Sequence, residues 1–224
     1  PKVSVIIVNW NRKDDTIDCL KSLRRVSTYG YELSVIVVDN GSTDGSVEAF
    51  NKTTNLVFRL IPLKENTGFV GGNNIGIKSA MEDGAEYVLL LNNDTLVDKG
   101  LIRELLKSAE KNKEAGVLVP KIYFAPGFEF HKDRYPKSLL GKVIWFAGGV
   151  IDWNNVYASN FGVDEVDRGQ FDSEREIDFA TGCAMFIKRK VISKVGLLDE
   201  RYFAYLEDAE YCQRVKKAGW KVIY

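Results

Sequence analysis

The sequence has 224 residues, 45% hydrophobic and 28% charged, with 31 Lys and Arg against 31 Asp and Glu. This mixture excludes disordered, collagenous and low-complexity chains, and a formal charge of zero leaves no bulk field to draw the chain to nucleic acid or an anionic membrane. A single histidine, His131, excludes His-rich zinc sites, and Cys19, Cys183 and Cys212, which form no Cys-x-x-Cys pair, read as reduced, mostly buried thiols of a cytosolic protein.

Along the first hundred residues, β-branched apolar runs alternate with helical patterns. VSVIIV at 3–8 predicts a strand covered on both faces. Ile17, Leu20 and Leu23 then recur at helical spacing, with Gly30 beyond the end. LSVIVV at 33–38 predicts a second strand, a short helix opens near Thr43 or Asp44, and 56–61 predicts a third strand. Residues 73–81 read as a helix stopped at Gly84, and YVLLL at 87–91 as a fourth buried strand. Leu101, Ile102, Leu105, Leu106 and Ala109 mark one face of an amphipathic helix. Such alternation predicts βαβ units and a mostly parallel sheet.

Between Pro120 and about Asp178 no period is sustained, which predicts irregular loops and short hairpins forming an antiparallel extension. IDFATGCAMFI at 177–187 is strand-like, and helical patterns follow near 188–195 and 207–218, the second closed by Gly219. No apolar stretch reaches the roughly 18 residues needed to span a bilayer, VIWFAGGVI at 143–151 being the nearest. The reading is one unit over 1–224, with halves 1–119 and 120–224. Pro1 in place of a methionine, and an end inside the apolar run 220–224, predict a piece of a longer chain.

Ligands of an open parallel sheet bind beyond the carboxyl ends of its strands. There the first predicted strand runs into Asn9-Trp10-Asn11, the second into Asp39-Asn40-Gly41-Ser42 and the fourth into Asn92-Asn93-Asp94-Thr95. Asn, Asp, Gly and Ser also simply make turns, but three such turns on one edge favour a binding site. Asp39 can accept from a ribose or a base, and Asp94 can be an oxygen ligand for a hard cation whose shell phosphate oxygens complete. ENTGFVGGNNIGI at 65–77 brings glycines to a helix start, where backbone can approach an anionic ligand. It matches neither the dinucleotide fingerprint nor the phosphate loop of nucleotide hydrolases.

Glu207-Asp208-Ala209-Glu210 opens the last helix, where carboxylates either complement the helix dipole or supply a general base; spacing weighs the two equally. Trp145, Trp153 and Phe161 read first as packing and second as faces for sugar stacking, and Lys188-Arg189-Lys190 as a solvated helix start. His131 is given no role.

Together, VSVIIVNWN at 3–11, VIVVDNGSTDGS at 35–46, ENTGFVGGNNIGI at 65–77, VLLLNNDT at 88–95 and the segment 180–220 resemble the family 2 glycosyltransferases, nearest the rhamnosyltransferase-like branch of polysaccharide assembly. The resemblance implies an α/β GT-A fold: a Rossmann-like, mostly parallel sheet flanked by helices, with a smaller antiparallel extension on the acceptor side. It implies inverting transfer from a nucleotide-diphosphate sugar, dTDP- or UDP-linked donors being favoured, to a glycan or lipid-linked acceptor. By the same resemblance Asn9, Asn11, Asp39, Asn66, Gly71, Gly72, Asn73, Asn92 and Asn93 border the sugar nucleotide, Asp94 is the metal ligand and Asp208 the catalytic base. The cofactor is then a divalent cation, Mg²⁺ or Mn²⁺, and the place is the cytoplasm or the inner face of the membrane, with peripheral membrane association through regions outside this sequence. Two departures stand out: Asn92 and Asn93 lead the metal motif, so Asp94 is its only charge, and the chain stops shortly after Gly219-Trp220. They support an alternative, a GT-A module that binds nucleotide sugar or carbohydrate without transferring it.

Overall fold

The computed structural model describes residues 1–53, 55 and 57–224. The apolar runs at 3–8, 33–38 and 87–91 form adjoining strands of its sheet. Strand β1 (Lys2–Asn9) pairs in parallel with β2 (Glu32–Asp39) without a break, from Lys2 opposite Glu32 to Asn9 opposite Asp39. On its other side β1 pairs in parallel with β4 (Tyr87–Leu91), and β2 pairs with β3 (Arg59–Pro62). Both faces are buried, as the unbroken apolar runs require. Ile6, Ile36, Val38, Val88 and Leu90 belong to one core, while Val3, Val5, Ile7, Val37, Leu89 and Leu91 belong to the other.

Helix α1 (Lys13–Leu23) and α4 (Leu101–Lys111) cover the second core through Cys19, Leu20, Leu23, Ile102, Leu105 and Leu106. Helix α3 (Gly68–Glu82) covers the first through Val70, Ile77 and Ala80. The short α2 (Ser46–Lys52) starts where Asp44 Oδ1 accepts the Ser46 N–H at 3.1 Å.

The sheet has seven strands in the order β11-β5-β10-β4-β1-β2-β3. Strand β10 (Ala184–Lys188) lies between β4 and β5 (Ala115–Leu118) and runs antiparallel to both, while β11 (Lys221–Ile223) pairs in parallel with β5. The carboxyl edge therefore collects the ends of β1 to β5 and also the residues that enter β10. Outside the sheet lie two small antiparallel pairs, β6 (Ile122–Tyr123) with β7 (Ile144–Phe146) and β8 (Gly149–Asp152) with β9 (Tyr157–Asn160). The chain closes with α5 (Arg189–Val195) and α6 (Glu207–Lys217).

Four elements differ from the sequence reading. The third strand starts at Arg59, and Leu56 lies outside the described residues. Helix α3 begins five residues early, at Gly68, because its glycines let it lie against β1: a Cβ on Gly72 would come 2.8 Å from Val8, and one on Gly76 would come 2.3 Å from Ile6. Packing overrides their poor helix propensity. The run 177–187 yields only β10, its earlier backbone being engaged elsewhere. Finally, Lys188 and Arg189 are not simply solvated. Lys188 Nζ donates to the carbonyls of Ala109 and Asn112 at 3.0 and 3.2 Å, and Arg189 donates to those of Met81 and Ala85 at 2.9 and 3.0 Å. Two cations thus serve the carboxyl ends of α4 and α3, where the helix dipole favours positive charge.

Candidate active site

The register of β1 and β2 sets Asn9 and Asp39 side by side at the carboxyl edge. Both are buried, and Asn9 Nδ2 donates to Asp39 Oδ1 at 2.7 Å and to Ser42 Oγ at 3.0 Å. Asp39 Oδ2 accepts the Ser42 N–H at 3.0 Å, so each carboxylate oxygen keeps acceptor capacity for another donor. Asn9 Oδ1 in turn accepts from Thr16 Oγ1 at 2.7 Å, and Thr16 Oγ1 accepts from Asn93 Nδ2 at 3.0 Å. One hydrogen-bonded path therefore runs from the end of β2 to the Asn-Asn-Asp turn after β4. Asn11 is exposed and left-handed (φ 53°), a conformation asparagine tolerates, and its Oδ1 accepts the Thr43 N–H at 2.7 Å.

Asn40, which the sequence reading did not assign, is 2% exposed and ties the β2 turn to the start of α3. Its Nδ2 donates to Asn66 Oδ1 and to the Gly68 carbonyl at 2.9 Å each, while its Oδ1 accepts from the Thr67 N–H and hydroxyl at 2.9 Å. Asn66 Oδ1 also accepts the Gly68 N–H at 2.8 Å. Within α3, Gly71 has its own Thr67 where a Cβ would sit, Gly72 faces β1, and the buried Asn73 donates to the Phe69 carbonyl. The close approach that Gly72 permits is thus to the sheet.

The opposite wall comes from the back half of the chain. Asn92 N–H donates to the Cys183 carbonyl at 2.9 Å, and the neighbouring Gly182 N–H donates to Asp208 Oδ2 at 3.0 Å. Gly182 is wedged between Phe69 and Asp208: a Cβ there would meet the Phe69 ring at 3.1 Å and the Asp208 Cβ at 3.8 Å. Asp94 is exposed and close enough to Cys19 and Cys183 to oppose their ionisation. Burial is the larger cause, and it pushes the Cys19 thiol up to about 11 and the Cys183 thiol up to about 12. All three cysteines are free, and two of them are buried.

The three acids that open α6 have separate fates. Glu210 forms an ion pair with Arg214 at 2.6 Å. Glu207 is 5% exposed, and its Oε2 has no partner among the described residues. Asp208 is half-buried and accepts N–H groups from Gly182 and Ala209. Burial raises the proton affinity of both Glu207 and Asp208 above the ordinary carboxylate range. Immediately before them, Tyr205 and Leu206 are held at φ 72° and 68°, and the Phe203 carbonyl accepts the Phe69 N–H at 2.9 Å. A Cβ on Gly68 would strike that carbonyl at 2.6 Å.

Among the described residues no group of three His, Cys, Asp or Glu side chains forms a metal cage. One exposed carboxylate, Asp94, suits an ion that arrives with phosphate oxygens of its own, and not an all-protein site. Trp145 packs half-buried on the core, Trp153 is 64% exposed at the turn of β8 and β9, and Phe161 lies under Arg175. The guanidinium of Arg175 is also stacked on Phe171 and Tyr224. His131 is exposed, with Nδ1 2.6 Å from Asp164 Oδ2. Hollows of about 510 and 410 Å³ lie elsewhere, around Lys113 and Glu176 and between α4 and Phe171.

The family model of glycosyl transferase family 2 matches residues 4–196, which takes in the first wall and the Gly182–Cys183 turn and ends after α5, before Asp208. The chain belongs to that family. N-acetylglucosaminyl-diphospho-decaprenol L-rhamnosyltransferase of Mycobacterium tuberculosis is 30% identical over 200 residues, 86% of this chain and 64% of the relative. The low-salt glycan biosynthesis hexosyltransferase Agl10 of Haloferax volcanii is 26% identical over 216 residues, 96% of this chain and 62% of the relative. The chain thus spans about three-fifths of the length of these curated relatives. Among solved structures, GalNAc-T7 with UDP, GalNAc and Mn2+ superposes with a TM-score of 0.73 at 16% identity, over 99% of this chain and 42% of that one. The chain has the GT-A fold. None of its described helices is long and apolar enough to cross a membrane.

Proposed function

We propose that this chain carries the transfer site of an inverting glycosyltransferase, which moves a sugar from a nucleotide-diphosphate donor to a glycan or lipid-linked acceptor. The observation that carries the reading is the pair of adjoining contacts Asn92–Cys183 and Gly182–Asp208, which join the turn of Asp94 to a carboxylate of raised basicity. Asp39 and Asn9 take the nucleoside, with Asn11 at the rim; Asn66, Gly71, Gly72 and Asn73 belong to the wall beside the donor, and Asn92 and Asn93 border its sugar. Asp94 holds a divalent cation, Mg²⁺ or Mn²⁺, which supplies charge stabilisation for the departing diphosphate.

Asp208 takes the proton from the acceptor hydroxyl. The oxygen attacks the anomeric carbon from the face opposite the diphosphate, the new C–O bond forms as the old one breaks, and the nucleoside diphosphate leaves with the electron pair. No covalent sugar–enzyme intermediate forms. A base whose pKa is raised toward the working pH is better matched to this step and contributes about 10²–10⁴-fold.

A lipid-diphosphate acceptor bearing N-acetylglucosamine is favoured by the name of the mycobacterial relative, and a dTDP- or UDP-linked donor by the sequence resemblance, UDP being the nucleotide in the GalNAc-T7 structure; the site would then work at the cytoplasmic face of a membrane. The test is a melting series with nucleoside diphosphates and Mn²⁺, followed by assay of nucleoside diphosphate release with that acceptor. A ligand specific for the native state raises the melting point, and a pyrimidine diphosphate with metal is expected to raise it most. A larger shift from adenosine diphosphate without metal overturns the donor assignment. Binding without release from any acceptor leaves a binding module.

A further inference from the structure

Residues 124–142 form a loop that leaves the carboxyl edge of the sheet after β5 and β6 and returns at β7. Its neck is closed by the Phe124 N–H on the Val143 carbonyl at 2.9 Å. Inside it Glu129, 4% exposed, accepts the Gly127 N–H at 2.8 Å and the Gly141 N–H at 2.6 Å, so one buried carboxylate ties the two arms together. Beside this tie Phe128 and Phe130 are 78% and 67% exposed, Phe130 resting edge-on against Phe124 at 4.8 Å. Lys132, Arg134, Lys137 and Lys142 are all exposed on the same loop. Arg134 reaches Asp164 at 3.5 Å, while Lys132, Lys137 and Lys142 make no ion pair among the described residues. With Glu129 engaged internally, Asp133 is the only other acid of the loop. A chain with no net charge thus carries four exposed cations and two exposed rings on one loop, which the Glu129 contacts brace.

We infer that this loop is a docking surface for an anionic lipid bilayer. Phe128 and Phe130 enter the boundary between headgroups and acyl chains, and Lys132, Lys137 and Lys142 meet lipid phosphates. Rings at that depth with lysines beside them are the standard chemistry of interfacial attachment. A second copy fits less well, since a two-fold contact through the loop would set lysines against lysines. The purpose of this docking, holding the site near a lipid-linked acceptor, rests on the proposed function; the binding itself does not, and it is read without donor or acceptor.

The test is flotation of the full chain with vesicles of phosphatidylcholine, alone or mixed with phosphatidylglycerol. The chain is expected to float with the mixed vesicles at low salt and to be released by high salt. Phe128→Ser with Phe130→Ser should lower partition by at least roughly tenfold, and each of Lys132→Glu, Lys137→Glu and Lys142→Glu by at least about fivefold. Melting points should stay near the parent's, because these side chains are exposed. If the double Phe variant loses its melting transition, Lys137→Glu with Lys142→Glu on the intact tip gives the reading. A parent that floats with neither vesicle, or variants that float as well as the parent, overturn the inference. So does a concentration-dependent dimer in sedimentation that the Phe variants abolish.

Discussion

Around β1 and β2 the buried polar groups are bonded to one another. Asn9, Asp39 and Ser42 share three hydrogen bonds, and Asn40 alone makes four with Asn66, Thr67 and Gly68. In α6 the buried Glu207 Oε2 and Tyr211 hydroxyl have no hydrogen-bond partner among the described residues, and the chain arrives through two consecutive non-glycine residues of positive φ. The first wall is a frame whose geometry is settled before any ligand arrives. The second keeps raised basicity and backbone strain close together, at the place where the proposed reaction moves a proton. Under the proposed function, a rigid wall for the nucleotide and a strained wall for the chemistry are different solutions to different tasks.

The sharpest way to break this contrast is Asp208→Asn. Transfer should fall at least about a hundredfold while the melting shift given by donor is kept, because the amide oxygen can still accept the Gly182 N–H. The same variant should melt higher at neutral pH in the absence of donor, since it removes a half-buried charge. Transfer that survives the substitution would move the base to another residue.

Asn40→Ala tests the frame. It leaves the Thr67 N–H and the Gly68 carbonyl without their partner, and the expected cost is about 2–3 kcal/mol in urea unfolding. A loss much below 1 kcal/mol would mean that the frame reorganises easily. Asp94→Asn should weaken the metal-dependent part of donor binding by roughly tenfold, read as the Mn²⁺-dependent melting shift. It should leave the metal-free melting point almost unmoved, because Asp94 is exposed.

The smallest effect concerns pH. Glu207 and Asp208 bind protons more tightly in the folded chain than in the unfolded one. Their contribution to stability is therefore fully present below the ordinary carboxylate range and is lost as pH rises through their elevated folded values. Glu207→Gln should raise stability at neutral pH and flatten that decline in urea titrations run from acid to neutral pH. A decline as steep as the parent's would show that Glu207 is ionised at no cost.

Where burial is two-sided, local composition carries the structure directly. The runs that became β1, β2 and β4 are apolar apart from Ser4 and Ser34, whose hydroxyls bond each other, and YVLLL occupies the span of β4 residue for residue. Strands β5 and β11 are too short for a period, and the glycines of α3 hid its first turn because the reason for them lies on β1. Nothing local encodes the insertion of β10 between β4 and β5, which is a fact about distant partners. The same holds at the site. Asn9, Asp39 and Asp94 are visible as polar residues at strand ends, whereas Asn40, Thr16 and Gly182 matter through contacts with segments far away in sequence. The Asn next to Asp39 was the available signal for Asn40: a second short amide at a strand end has no apolar reason to be buried. Lys188 and Arg189 look like surface charge until the ends of α3 and α4 are seen beneath them.

Those two cations carry a lesson for anyone who cuts or recombines this protein. They sit in the second half of the chain and clasp two helices of the first, beside a strand that both neighbours need. A fragment ending near residue 119 would expose two bare helix ends and a gap in its sheet, and a chimaera joined there inherits a mismatched buckle unless both sides are exchanged together.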